Sequence, residues 1–222
     1  MLSVNLSGLA ERRRYDILVV HKEGSLRVIL GSSSPRRLEI ARRVWPHVEV
    51  LAPNIDEDAF SEDLPATLTL AIAMAKNKAV RRLVASPVLV VTADTLAEVL
   101  LGSGRREVRG KPHDATEAAF WLRQYRDHPV SVVTSVVIAE VAEDGGWLMT
   151  THTDVARVRF TGLTDELIAQ IVAEGTVLGC AGAFTMEHPL FAGHVIVRGD
   201  PETVQGLPSR FLRRPSEELA SA

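Results

Sequence analysis

The sequence predicts a mixed α/β fold, a twisted mixed sheet flanked by helices, and three observations carry the prediction. Short apolar runs at Val28 to Leu30 and Val88 to Val91 end in polar turns, as buried strands do. Helically spaced apolar residues lie between them, from about Leu64 to Val84. Two alternating segments, Val130 to Ala139 and Leu148 to Phe160, then flank Asp144-Gly145, a step that favours a hairpin turn.

Each element has a local reason. After the first apolar run, Ser34 can serve as N-cap and Pro35 as first helical residue, opening a helix through Val44. The second helix carries Leu68, Ile72, Ala75 and Ala79 at helical spacing beside Lys76 and Lys78. Val88 to Val91 suits the centre of the sheet, with Thr92-Ala93-Asp94-Thr95 as the turn that ends it. Asp114 can cap a third helix, with Glu117 closing a capping-box-like pair and the helix fading near Tyr125. Thr164 caps a fourth, with Asp165 and Glu166 in its first turn, Leu167, Ile168, Ile171 and Val172 on one face, and Gly175 at its end.

A chain of 222 residues with 46% hydrophobic and 24% charged residues can bury one ordinary core without covalent staples. The expected organisation is a domain over residues 27–214, an N-terminal extension over 1–26 and a peripheral tail over 215–222. Cys180 is the sole cysteine, so no intramolecular disulfide can form, and a reducing cytoplasm is the expected location. It reads as packed core rather than as a nucleophile. A formal net charge of −3 argues against a general nucleic-acid binder, so any phosphate site must be local. No apolar run approaches the roughly 20 residues of a membrane span, and Arg12-Arg13-Arg14 follows the apolar N-terminal run, the reverse of a signal peptide. The oligomeric state is left open, a homodimer included.

Chemistry-bearing residues cluster early. Gly31-Ser32-Ser33-Ser34-Pro35-Arg36-Arg37 places hydroxyls and guanidiniums at a helix N-terminus, where free N–H groups and the dipole attract anions such as phosphate. The same residues also describe a capped surface helix with solvated arginines. No Gly-x-Ser-x-Gly elbow surrounds the serines. Asp94, read at the carboxyl end of the buried strand, stands where open α/β sheets place ligands; it could orient water or hold a cation, or simply cap the turn. Asp56-Glu57-Asp58 reads as solvated loop charge unless a metal recruits it, and the histidines show no zinc-ligand spacing.

Together these segments resemble the Maf family of nucleotide pyrophosphatases, in order from about Arg27 to Arg214. Leu30 to Arg37 is similar to the family's Leu-Ala-Ser-x-Ser-Pro-Arg-Arg, with Gly31 in place of Ala. Asp56-Glu57 resembles its Asp-Glu step, and Ala75 to Ala79 its Ala-x-x-Lys-Ala pattern, with the family's lysine read as Lys78. Ala93-Asp94-Thr95, Gly110-Lys111-Pro112, Ala181-Gly182-Ala183-Phe184 and Gly206-Leu207-Pro208 resemble its later motifs.

The resemblance implies a central nucleotide-binding cleft in a fold like that of inosine triphosphatases, and cleavage of nucleoside triphosphates, common or modified, between the α and β phosphates. Asp94 inherits the general-base role, with Lys78 and Lys111 as further catalytic residues. Ser32, Arg36, Arg37, Thr95 and Glu187 become substrate-binding residues, with Arg36 and Arg37 joining the lysines as a triphosphate clamp. Glu57 and Asp94 become ligands of a divalent ion, Mg²⁺ or Mn²⁺. Family members acting on thymidine and uridine triphosphates look like Arg, Thr and Gln at three specificity positions, and those acting on 7-methyl-GTP like Trp, Gln and Glu. Arg36 and Thr95 match the first set and Glu187 the second. The loop from Asp94 to Lys111, with Gly102-Ser103-Gly104, reads as longer than the family's, and Met186 to Pro189 replaces a glycine-rich turn. A rival expectation, from the family's link to septum formation, is a nucleotide-sensing, division-associated binding protein without turnover; a base positioned beside a cationic clamp disfavours it.

Overall fold

The computed structural model describes residues 26–220, so residues 1–25 of the expected extension lie outside the described residues. The sheet is mixed, in the order β2-β1-β3-β5-β6-β7, with β4 also on β3. Strand β1 (Val28–Leu30) pairs in parallel with β2 (Glu49–Val50) and β3 (Val88–Leu100). The connections are helices α1 (Pro35–Val44) and α2 (Pro65–Arg81), because parallel neighbours need a crossover. Beyond them β3, β4 (Arg106–Arg109), β5 (Val130–Val141), β6 (Trp147–Phe160) and β7 (Val195–Arg198) pair antiparallel.

The expected caps form. Ser34 accepts from Arg37 N, Asp114 from Glu117 N at the head of α3 (Ala115–Gln124), and Thr164 from Leu167 N at the head of α4 (Asp165–Ala173). Glu117 reaches back to His113 N, one residue earlier than a capping box would place it. Gly145 takes the left-handed turn between β5 and β6 at φ 82°. The long loop read after Asp94 is instead the β3–β4 hairpin, closed where Leu101 N donates to Arg105 O.

Apolar residues fill both faces of the sheet. Leu30, Val91, Ala93, Val136 and Ile138 pack against Ile40, Ala41, Leu207 and Leu212 on one side, and Ile29, Val88 and Val90 against Val80 of α2 on the other. At the far end Tyr125, Phe160, Phe184 and Phe191 join α3 and α4; the Tyr125 and Phe160 rings stack at 5.4 Å. A segment missed in the sequence, α5 (Pro201–Gln205), has Asp200 as N-cap and Gly206 at φ 95° after its end. Residues 215–220 form α6 (Pro215–Ala220), and Glu140 of β5 accepts from Ser216 N and pairs with Arg214. Among the described residues no helix is long and apolar enough to cross a membrane.

One sequence reading is corrected. Thr92-Ala93-Asp94-Thr95 is no turn: β3 runs through it, so Asp94 lies mid-strand rather than at a carboxyl end. Polar side chains persist inside this buried strand because each finds a partner. The Thr92 hydroxyl donates to Ala73 O, Asp94 binds Lys76, and Thr95 bonds Thr134.

Candidate functional site

The site begins as a gap in one edge of β3. On that edge Leu89 to Val91 pair with β1 and Ala97 to Leu100 with β4, which leaves residues 92–96 without a strand partner there; the other edge pairs with β5 throughout. The chain leaving β1 enters this gap as Gly31 to Ser34, with Gly31 N donating to Val91 O at 2.8 Å. The chain leaving β4 arrives as Gly110-Lys111. Two glycine-led segments, distant in sequence, therefore enter the gap from its two ends, Gly31 against Thr92 and Gly110 near Leu96.

Gly31 fits for a steric reason. A Cβ there would come within 2.6 Å of Thr92 Cγ2 and 2.9 Å of Val80 Cγ2, so Thr92 and Val80 occupy the space an alanine would need. Ser32 is buried, and its hydroxyl oxygen accepts from Ser34 N at 3.1 Å, which leaves its proton available to a ligand.

Asp94 points to the α2 face, where Lys76 Nζ lies 2.7 Å from its Oδ1 and 2.9 Å from Glu57 Oε1. Asp94 and Lys76 are only 5% and 7% exposed, whereas the Glu57 side chain is half exposed, so the pair is a buried charge cluster opening outward through Glu57. Burial pushes the Asp94 carboxyl above its ordinary range, against the opposing pull of Lys76 and Arg37. Behind it Ser135, opposite Asp94 in the β5 register, bonds Thr69 and Thr153, each at 2.8 Å.

The lysine assignment changes. Lys78 is exposed, and Lys76 is the one that meets Asp94. On an α-helix two residues are about 200° apart, so the two lysines cannot share a face. The buried face of α2 is Thr69, Ile72, Ala73, Lys76, Asn77 and Val80, in which Lys76 stands four residues from both Ile72 and Val80. Asn77, also unforeseen, donates to Val90 O at 3.0 Å and ties α2 to the sheet.

The remaining residues fall on two sides of the gap. Arg37 lies on the opposite face, where Nε donates to Gly206 O, Nη1 to Ala93 O and Nη2 to Thr95 Oγ1, each at 2.9 Å. Thr95 is thus held by Arg37 and Thr134. Arg36 is half-buried and directs Nη1 to Cys180 Sγ at 3.3 Å. The turn after Cys180 reaches the Lys111 loop, because Gly182 N donates to Gly110 O at 2.8 Å and Gly182 O accepts from the Tyr125 hydroxyl. That turn thereby links Arg36 to the exposed Lys111. Glu187 is exposed and accepts from the Thr185 hydroxyl, and His188 beside it is buried with Nδ1 accepting from Leu190 N.

For a divalent ion the donor set is two carboxylates, Asp94 and Glu57, already turned toward one cation, Lys76 Nζ. Among the described residues no group of three or more His, Cys, Asp and Glu is placed to hold a metal. Two carboxylates completed by phosphate oxygens and water are what Mg²⁺ accepts, whereas a zinc-type cage would need more protein ligands.

A family model described as Maf-like protein matches residues 27–218. A 7-methyl-GTP pyrophosphatase from Dictyostelium discoideum is 32% identical over 194 residues, 84% of this chain and 93% of that protein. A dTTP/UTP pyrophosphatase from Symbiobacterium thermophilum is 35% identical over 182 residues, covering 82% and 88%. A nucleoside triphosphate pyrophosphatase from Streptomyces avermitilis is 34% identical over 200 residues, covering 87% and 90%.

Proposed function

This chain belongs to the Maf family, and on that premise we propose that it hydrolyses nucleoside triphosphates, common or modified, to a monophosphate and pyrophosphate. The observation that carries the reading is the gap at residues 92–96 of β3, which holds the buried Asp94–Lys76 pair, with half-exposed Glu57 on Lys76, between the two glycine-led segments. Such a place combines a base, a cation and the Ser32 hydroxyl.

The triphosphate lies with its charge toward Lys111, Arg36 and the Ser32 hydroxyl, while Asp94 takes a proton from the water that attacks the α-phosphorus. The P–O bond to the β-phosphate breaks and pyrophosphate leaves. Lys76 keeps the Asp94 carboxylate oriented, and its charge offsets negative charge on the phosphoryl oxygens. Glu57 and Asp94 would hold Mg²⁺ or Mn²⁺, which supplies further neutralisation of phosphate charge. The same reading has the protein act in the cytoplasm on free nucleotides.

Incubation with a panel of nucleoside triphosphates and Mg²⁺, followed by pyrophosphate assay, tests this. Pyrophosphate and monophosphate in equal amounts are expected. Saturable binding without release would replace the enzyme by a nucleotide sensor.

A further inference from the structure

We infer that Arg37 is a positioning residue for Asp94 rather than part of the phosphate clamp; the inference rests on the reading of Asp94 as general base. Arg37 touches the chain on both sides of Asp94, through Ala93 O and the Thr95 hydroxyl, and anchors that bracket to Gly206 O.

The backbone explains why a guanidinium is needed. Val91 O accepts from Gly31 N, so carbonyls on this edge of β3 at two-residue intervals point toward the β1 side. β1 ends opposite Val91, and Ala93 O therefore faces the gap with no strand to satisfy it. A buried carbonyl needs a donor, and Arg37 Nη1 is that donor.

The Thr95 contact is directional. Thr203 O can only accept, so the Thr134 hydroxyl donates to it at 2.7 Å. Thr134 then accepts from Thr95 at 2.9 Å, and Thr95 accepts from Arg37 Nη2. The chain of protons runs Arg37, Thr95, Thr134, Thr203, and it fixes the Thr95 rotamer. Gly206 completes the device, since a Cβ there would lie 2.9 Å from Thr95 Oγ1 and 3.0 Å from Arg37 Nε. Only a glycine lets the closing segment approach this closely at φ 95°.

A rigid fork distinguishes this role from a point charge, because lysine keeps the charge and loses the three-way geometry. Arg37→Lys and Arg37→Met should both lower kcat by about 10²-fold, the cost of misplacing a catalytic group by about 1 Å. KM, and the Kd of an α,β-imido nucleotide measured by calorimetry, should change less than about threefold, since uniform binding is untouched. Gly206→Ala, which leaves Arg37 in place and crowds its bracket, should lower kcat in the same selective way and serves if the Arg37 variants do not fold. A rise in KM and Kd of tenfold or more with kcat retained, or rescue of wild-type kcat by lysine, overturns the positioning role in favour of a phosphate clamp. Asp94→Asn separates the two claims. Wild-type rates in that variant remove the general base itself, whereas an inactive Asp94→Asn beside a purely KM-type Arg37 defect removes only the bracket.

Discussion

The Lys76 ammonium lies 2.7 Å from the Asp94 carboxylate, inside the protein, and shares its remaining charge with Glu57 2.9 Å away. A buried ion pair contributes little net stability, because desolvation of both charges offsets their attraction. Its persistence at the gap in β3 therefore points to chemistry, and the two partners should respond differently to substitution.

Asp94→Asn keeps the size of the side chain and removes its basicity. Turnover should fall by about 10²–10⁴-fold, the worth of general-base catalysis, with the fold retained by circular dichroism. Rates near wild type would exclude Asp94 as the base.

Replacing Lys76 should act on both activity and stability. Lys76→Met strands Asp94 as an unpaired buried carboxylate, a loss of up to about 3–5 kcal/mol by analogy with broken buried pairs, and it disorients the base. Lys78→Ala, at an exposed position, should stay within about 0.5 kcal/mol and near wild-type kcat. Denaturant titration and steady-state rates on both variants check the distinction; equal effects would contradict it.

That contrast shows what the sequence made legible. Caps written in single side chains, Ser34, Asp114 and Thr164, formed where their chemistry placed them. The lysine was misread because the Ala-x-x-Lys-Ala spacing at Ala75 to Ala79 selects Lys78 without regard to the buried face. In α2 that face covers a polar stretch of sheet, so Thr69, Lys76 and Asn77 are buried on it beside Ile72 and Val80. Asp94 was likewise read at a strand end because four polar or small residues follow Val91, while the partners that let β3 continue, Ala73 O, Lys76 and Thr134, come from elsewhere in the chain. The gap between β1 and β4 is a property of pairing, and no local pattern announces it.

Glu187 should influence which base is preferred. An ionised carboxylate only accepts hydrogen bonds, so it suits an edge bearing N–H groups, as guanine's N1–H and amine do. Uracil and thymine present one N–H between repelling carbonyl oxygens. Glu187→Gln should shift the ratio of kcat/KM values toward UTP and thymidine triphosphate by about 10–100-fold, the worth of one charge-assisted hydrogen bond. An equal change for all nucleotides would make Glu187 a structural partner of Thr185.

Docking of α6 should be acid-sensitive. Burial alone would raise the Glu140 carboxyl, but Arg214 and Ser216 outweigh it and hold it below its ordinary value of 4.5. A depressed carboxylate contributes stability above its unfolded pKa and loses it as pH falls through the folded one. The Tm difference between wild type and Glu140→Gln should therefore be full near neutrality and shrink as pH drops below about 4.5. A difference that grows on acidification would contradict the linkage.

Hydrolysis in ¹⁸O-labelled water tests the central claim most directly, because the label marks the phosphorus that water attacks. With Asp94 activating water against the α-phosphorus, mass spectrometry should find one ¹⁸O in the nucleoside monophosphate and none in pyrophosphate. Label in pyrophosphate, or in inorganic phosphate released with a nucleoside diphosphate, would contradict the account.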